Sequence, residues 1–368
     1  MREINSENKL MFVLGPTEIE QDILDIGSNP QVYMRTTDFS QRLKTIFDDL
    51  KYLFQTQNPV VFFASSGTGA MEAAVTNVLS RGETALYIDG GSFGHRWGDI
   101  CQKHSVKTIK LEIPFGESVQ PERIKQELDK NSDIKVVFST YDETSSGAIT
   151  DIKAIGNIVK NYPNTIFVVD AVSALLTEEL KMDEWNLDVV ISSSQKALAL
   201  PPGLGFMSIS DKALKFAEKA DLRTFYFDIF DYIANYKRNQ TPFTPAVGLL
   251  YQLEARLKKI REKGLESIQK EYKELTEYLR KRLEEVHFYP VAKNPVSCVT
   301  GIFTAPYDAS EIVRIMREKY NVEIAPSGGE LKTKLIRIGN FGAIGKEEID
   351  YMIKYLKLTL KELGEKNG

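Results

Sequence analysis

Two hydrophobic rhythms alternate between residues 58 and 215. Val60-Val61-Phe62-Phe63 is an unbroken apolar run, the pattern of a strand buried on both faces. The small residues Ser65-Ser66-Gly67-Thr68-Gly69 follow, and then Met71, Ala74, Val75, Val78 and Leu79 recur at helical spacing. Further short apolar runs predict strands over Thr84–Ile88, Lys107–Ile113, Ile134–Ser139, Ile166–Val169, Val189–Ile191 and Gly205–Ile209, with helical stretches between most of them. Strands nearly continuous in apolar residues and separated by helices predict an α/β fold: a mostly parallel sheet covered by helices.

The rhythm changes near Asn239. Pro245–Glu285 reads as one or two long helices rich in Leu, Lys and Glu. Strands over Val299–Phe303 and Leu335–Ile338 follow, with helices over Ala309–Tyr320 and Lys346–Leu363 and with Gly364 placed to end the last one. The expected organisation is a large α/β domain over residues 1–245, including an N-terminal arm, and a smaller α+β domain over residues 246–368.

Composition narrows the function classes. The chain has 368 residues, 42% hydrophobic and 27% charged, as an ordinary globular protein has. A net charge of -4 gives no reason to expect nucleic acid or an anionic membrane surface as a partner. Two distant cysteines, Cys101 and Cys298, and three scattered histidines show no metal-ligand spacing and no disulfide framework, so no metal is expected. Met1–Leu10 is charged and polar without a signal-peptide core, and no stretch has the apolar length of a membrane span. A reduced, cytoplasmic setting is expected.

In an open α/β sheet, ligands sit beyond the carboxyl ends of the strands. Three such positions carry chemistry. Ser65–Gly69 opens a helix, so it serves either as a phosphate cradle, with free amides and the helix dipole facing an anion, or as a small-residue turn with Ser66 or Thr68 as cap. Asp170 ends the apolar run Ile166–Val169; it is a turn former unless a cation, such as a protonated pyridine nitrogen, faces it. Lys196 lies in the uncharged stretch Ser192–Leu198, where it is either a structural residue or a desolvated amine able to act as nucleophile and proton carrier. It comes 26 residues after Asp170, and the order turn, acid, lysine is more specific than any one of the three.

With these motifs in place, the chain resembles the class V aminotransferases of pyridoxal-phosphate fold type I, nearest the alanine–glyoxylate and serine–glyoxylate branch. The likeness runs over nearly the whole chain. It rests on Val168-Val169-Asp170-Ala171-Val172-Ser173, on Ser192–Leu198 with Pro201-Pro202-Gly203, on Thr244-Pro245-Ala246 and on Leu335-Ile336-Arg337-Ile338-Gly339. The resemblance implies pyridoxal 5'-phosphate as cofactor, held as a Schiff base on Lys196, with Asp170 at the pyridine nitrogen. It implies Val172 and Phe93 on the two ring faces, Ser66, Gly67, Thr68 and Gln195 at the phosphate, and Thr144 near the ring oxygen. Arg337 would clamp the substrate carboxylate, Gly15 and Pro16 would lie near the substrate, and Thr244 would reach the cofactor phosphate of the second subunit of a homodimer.

The implied reaction moves an amino group from a small amino acid (alanine, serine or aspartate) to a 2-oxo acid such as glyoxylate or pyruvate; 2-aminoethylphosphonate–pyruvate transamination is the alternative within the family. Cysteine desulfuration fits less well, because neither cysteine lies on a plausible catalytic loop, and a nucleotide-dependent oxidoreductase lacks its glycine fingerprint here. The chain departs from the family pattern in three places. Tyr141-Asp142-Glu143 stands where relatives often read His-Gly-Glu or Ser-Glu, Phe93 stands where Trp or Tyr is common, and Thr224–Tyr232 is unusually aromatic.

Overall fold

Apolar residues on both sides of a strand demand cover on both faces, and the computed structural model provides it. The structure describes residues 4 and 8–367; of the polar opening stretch, residues 1–3 and 5–7 lie outside the described residues. In chain order the strands are β1 (Leu10–Phe12), β2 (Val60–Phe63), β3 (Thr84–Asp89), β4 (Lys107–Glu112), β5 (Ile134–Thr140), β6 (Asp142–Glu143), β7 (Ala148–Ile149), β8 (Ile166–Asp170), β9 (Val189–Ser193), β10 (Gly205–Ile209), β11 (Val299–Phe303), β12 (Val322–Pro326) and β13 (Leu335–Gly339). Seven form one sheet in the order β2-β10-β9-β8-β5-β3-β4. It is parallel except for β10, which runs against both neighbours. Along β8 the side chains alternate: Phe167 and Val169 enter the core on one face, Ile166 and Val168 the core on the other.

A second sheet, β1-β12-β13-β11, covers a separate core that includes Leu279, Ile312, Met316, Ile338 and Ile353. Its edge strand comes from the start of the chain: Leu10, Met11 and Phe12 pair in parallel with Val322, Glu323 and Ile324. The chain then passes from this sheet to the edge of the large one through Gly15, whose φ of +111° is one that a residue with a Cβ rarely adopts.

The helix Thr37–Phe54 buries Phe39, Leu43, Ile46, Phe47 and Leu50 against the large sheet, and the Thr36 hydroxyl caps it by accepting from the Phe39 amide at 3.2 Å. The stretch Pro245–Glu285 contains two helices, Val247–Lys263 and Leu265–Glu284, divided at Gly264 with φ +82°. The last helix does not stop at Gly364; it runs over Lys346–Asn367. A helical glycine costs only about 1 kcal/mol, and Leu356, Leu360 and Leu363 stay buried up to it, so the packed stripe outweighs the breaker.

Candidate active site

The carboxyl ends of β2, β3, β5, β8 and β9 converge on one edge of the large sheet, and the candidate residues follow them. Lys196 stands three residues past β9 and is only 9% exposed. Its Nζ donates to the Leu14 carbonyl, and its own carbonyl accepts from the Thr17 hydroxyl at 3.1 Å. Gly15 lies directly against it: a Cβ there would stand 2.8 Å from the Gln195 carbonyl oxygen and 3.0 Å from Lys196 Cδ. Asp170 closes β8 at 5% exposure, with Oδ1 accepting from the Val172 amide at 2.8 Å. Thr144 is buried on the loop after β6, its hydroxyl 3.0 Å from that of Ser173 and donating to Asp142 at 3.2 Å.

Ser66 sits at the N-cap of the helix Gly67–Val78, yet its side chain makes no capping bond. The first amides of that helix lack partners within it by geometry. Gly67 presses on the neighbouring wall, where a Cβ would meet Val172 Cγ2 at 2.8 Å and Ser193 Oγ at 3.3 Å. Thr68 accepts from Arg96 at 3.0 Å, and the Arg96 guanidinium lies 4.7 Å over the Phe93 ring. Arg337 on β13 donates to the Pro326 carbonyl at 2.6 Å and leaves its buried Nε without a partner.

Burial governs the charges. It pushes the Lys196 amine below its usual range, with Asp142, Cys298 and Asp170 opposing. It raises Asp170 to about 6, against the pull of the Val172 amide bond and with help from the Glu143 charge. Asp142 rises further, to about 8, by burial and then by repulsion from Asp170 and Glu143. Arg337 is lowered by burial and steadied by Glu143, which places it within the same field.

Lys196, Asp170, Val172, Thr144, Gln195, Gly15 and Gly67 are thus brought together. Thr244 is not: it is exposed and lines a cleft with Phe62, Ala64, Leu204 and Tyr226. Three residues escaped the sequence reading. Glu143 accepts from the amides of Gly94 at 2.8 Å and Phe93 at 3.2 Å, capping the helix Ser92–Lys103 from fifty residues away, at a distance no local spacing signals. Ser173 is buried against Thr144. Arg96 follows Phe93 by one helical turn, and that i, i+3 spacing was its one signal. A cavity of about 780 Å3 opens instead at the amino ends of the strands, among Lys135, Lys160, Asp188 and Lys212, and holds none of these residues.

The donor set fits pyridoxal phosphate. A buried amine suits an aldehyde, and a buried carboxylate without a salt-bridge partner among the described residues suits a cationic ring nitrogen. Ser193 Oγ is a buried hydroxyl without a partner beside the helix start, and a hydroxyl can donate to an anion.

Comparison with known proteins agrees. The family model for aminotransferase class-V matches residues 18–336. An uncharacterized aminotransferase of Methanocaldococcus jannaschii is 35% identical, over 98% of this chain and 95% of that protein. The L-aspartate–glyoxylate aminotransferase of Paracoccus denitrificans is 33% identical over 98% and 93%. The crystal structure of an alanine–glyoxylate aminotransferase from Nostoc superposes with a TM-score of 0.92 at 25% identity, covering 98% of this chain and 96% of that one. The chain belongs to the class V aminotransferases of fold type I and is a pyridoxal-phosphate-dependent transaminase.

Proposed function

We propose that this transaminase takes the amino group of a small amino acid, of alanine, serine or aspartate type, and passes it to a 2-oxo acid such as glyoxylate or pyruvate, with Lys196 as the residue that carries the cofactor. The carrying observation is a buried amine, held below its usual pKa by desolvation, at the carboxyl edge of the sheet next to Gly15. The names of the Paracoccus and Nostoc relatives support glyoxylate as acceptor. Homodimerisation, with Thr244 turned to the partner's site, and a cytoplasmic setting belong to the same reading; among the described residues no helix is long and apolar enough to cross a membrane.

Bound pyridoxal phosphate supplies an aldehyde and an electron-withdrawing ring. The chain's residues do the rest. Lys196 would hold the aldehyde and would carry a proton at its Nζ to and from the substrate carbon; burial favours the neutral amine that can accept it. Asp170 holds the proton of the ring nitrogen. Val172 and Phe93 enclose the ring, and Thr144 presents a hydroxyl to its oxygen. Ser66, Gly67, Thr68 and Gln195 bind the phosphate. Arg337 receives the substrate carboxylate, for which a guanidinium fork is well shaped.

The test is turnover of Lys196→Ala, which is expected to fall by about 10²- to 10⁴-fold or more. Transamination at the unaltered rate would sink the assignment. A donor screen with alanine, serine, aspartate and 2-aminoethylphosphonate, each against glyoxylate and pyruvate, identifies the substrate pair; rapid turnover of the phosphonate alone would favour the alternative reaction.

A further inference from the structure

Asp142 is a buried acid that the proposed reaction does not use. It lies two residues beyond Thr140, which pairs with Asp170 across β5 and β8, and the Tyr141 amide donates to the Asp170 carbonyl at 2.8 Å. The backbone therefore delivers a second carboxyl next to the first. Asp142 is only 3% exposed and forms no ion pair among the described residues. Among the described residues its side-chain partner is the Thr144 hydroxyl at 3.2 Å, and the Thr144 hydroxyl in turn stands 3.0 Å from that of Ser173.

We infer that Asp142 is a positioning residue that sets, through Thr144, whether a hydrogen or a lone pair is offered to the oxygen of the cofactor ring. The inference rests on the proposed placement of Thr144 beside that oxygen. A hydroxyl has one hydrogen. When Asp142 is ionised, Thr144 donates to it and has only a lone pair left for the ring. When Asp142 carries a proton, it donates to Thr144, and Thr144 is free to turn its own hydrogen to the ring oxygen. No bond other than hydrogen bonds changes, and the proton comes from solvent.

The groups facing Asp142 favour the protonated state at neutral pH. Asp170 at the end of β8 and Glu143 on its own hairpin repel a charge there, Lys196 past β9 attracts one, and Cys298 ahead of β11 and Tyr141 beneath stay neutral because burial raises both. With burial as the leading cause, the carboxyl loses its proton only near pH 8.

The experiment follows the visible absorption of the cofactor-loaded enzyme from about pH 6 to about pH 10, across the range in which Asp142 would ionise. Wild type is expected to show a transition near pH 8. Asp142→Asn, which mimics the protonated side chain in shape, is expected to match wild type below about pH 7 and to lose that transition or move it by about one pH unit or more. Coincident curves for wild type and Asp142→Asn would overturn the inference. Should the variant fail to fold or to hold cofactor, carbon-13 NMR of wild type with labelled aspartate carboxyls decides: a resonance titrating near pH 8 supports it, and none titrating above pH 7 overturns it. A wild-type protein without cofactor absorption would mark failure of the proposed function instead.

Discussion

Lys196, Asp170 and Asp142 are moved from their ordinary charge states by one cause, loss of water, and differ only in what faces them. The amine is pulled toward neutrality and the acids toward protonation, so these groups together hold less charge than their formulas imply. A cationic ring nitrogen beside Asp170 would pull its pKa back toward the ordinary carboxyl range. Arg337 sits at the rim of this field with its Nε unpartnered. Arg337→Ala is expected to raise KM for carboxylate substrates about 10- to 100-fold, the worth of a lost charge-assisted hydrogen bond, while kcat changes less. Steady-state kinetics with an unchanged KM would remove Arg337 from the substrate site. At this scale the sequence showed the residues that end or follow strands, because an acid or lysine in an apolar neighbourhood is conspicuous. Glu143 was hidden because its partners, the amides of Phe93 and Gly94, are brought to it only by the fold.

The strand-to-helix turns are where elements become a site. Gly67 begins its helix so close to β8 and β9 that any side chain would strike Val172 and Ser193. Gly67→Ala is therefore expected to weaken pyridoxal phosphate binding by about tenfold or more, since forcing one methyl into a filled wall costs about 1–3 kcal/mol. Titration of the cofactor-free variant, read by visible absorption, checks this; an affinity equal to wild type would mean that the helix start does not face the phosphate. The long buried strands are legible as apolar runs, whereas apolar spacing alone does not decide whether Pro245–Glu285 is one helix or two; the fold divides it at Gly264. The hairpin β6–β7, with two residues in each strand, is too short for any period to appear. The helix Thr37–Phe54 carries a regular stripe from Phe39 to Phe54 that the sequence reading passed over.

Across the whole molecule, the segment from Leu10 to Glu18 links the two sheets at Lys196. Leu10–Phe12 extends the small sheet, Leu14 and Gly15 touch Lys196, Thr17 bonds its carbonyl, and Glu18 bridges to Gly342 beyond β13. Arg337 lies on β13 of the small sheet and Lys196 follows β9 of the large one, and this segment touches both, with Val13 against Gly339 and Gly15 against Lys196. The edge strand β1 was not legible because three residues carry too little pattern, and its partner β12 lies more than three hundred residues away.

Lys196, a desolvated amine at the carboxyl edge of the large sheet, is the residue proposed to carry the cofactor. Borohydride reduction of the purified, cofactor-loaded protein, followed by peptide mass spectrometry, addresses this directly. The visible colour is expected to be lost and the phosphopyridoxyl group to be fixed to the peptide containing Lys196 and to no other. A reduced adduct on a different lysine, or none at all, would contradict this assignment.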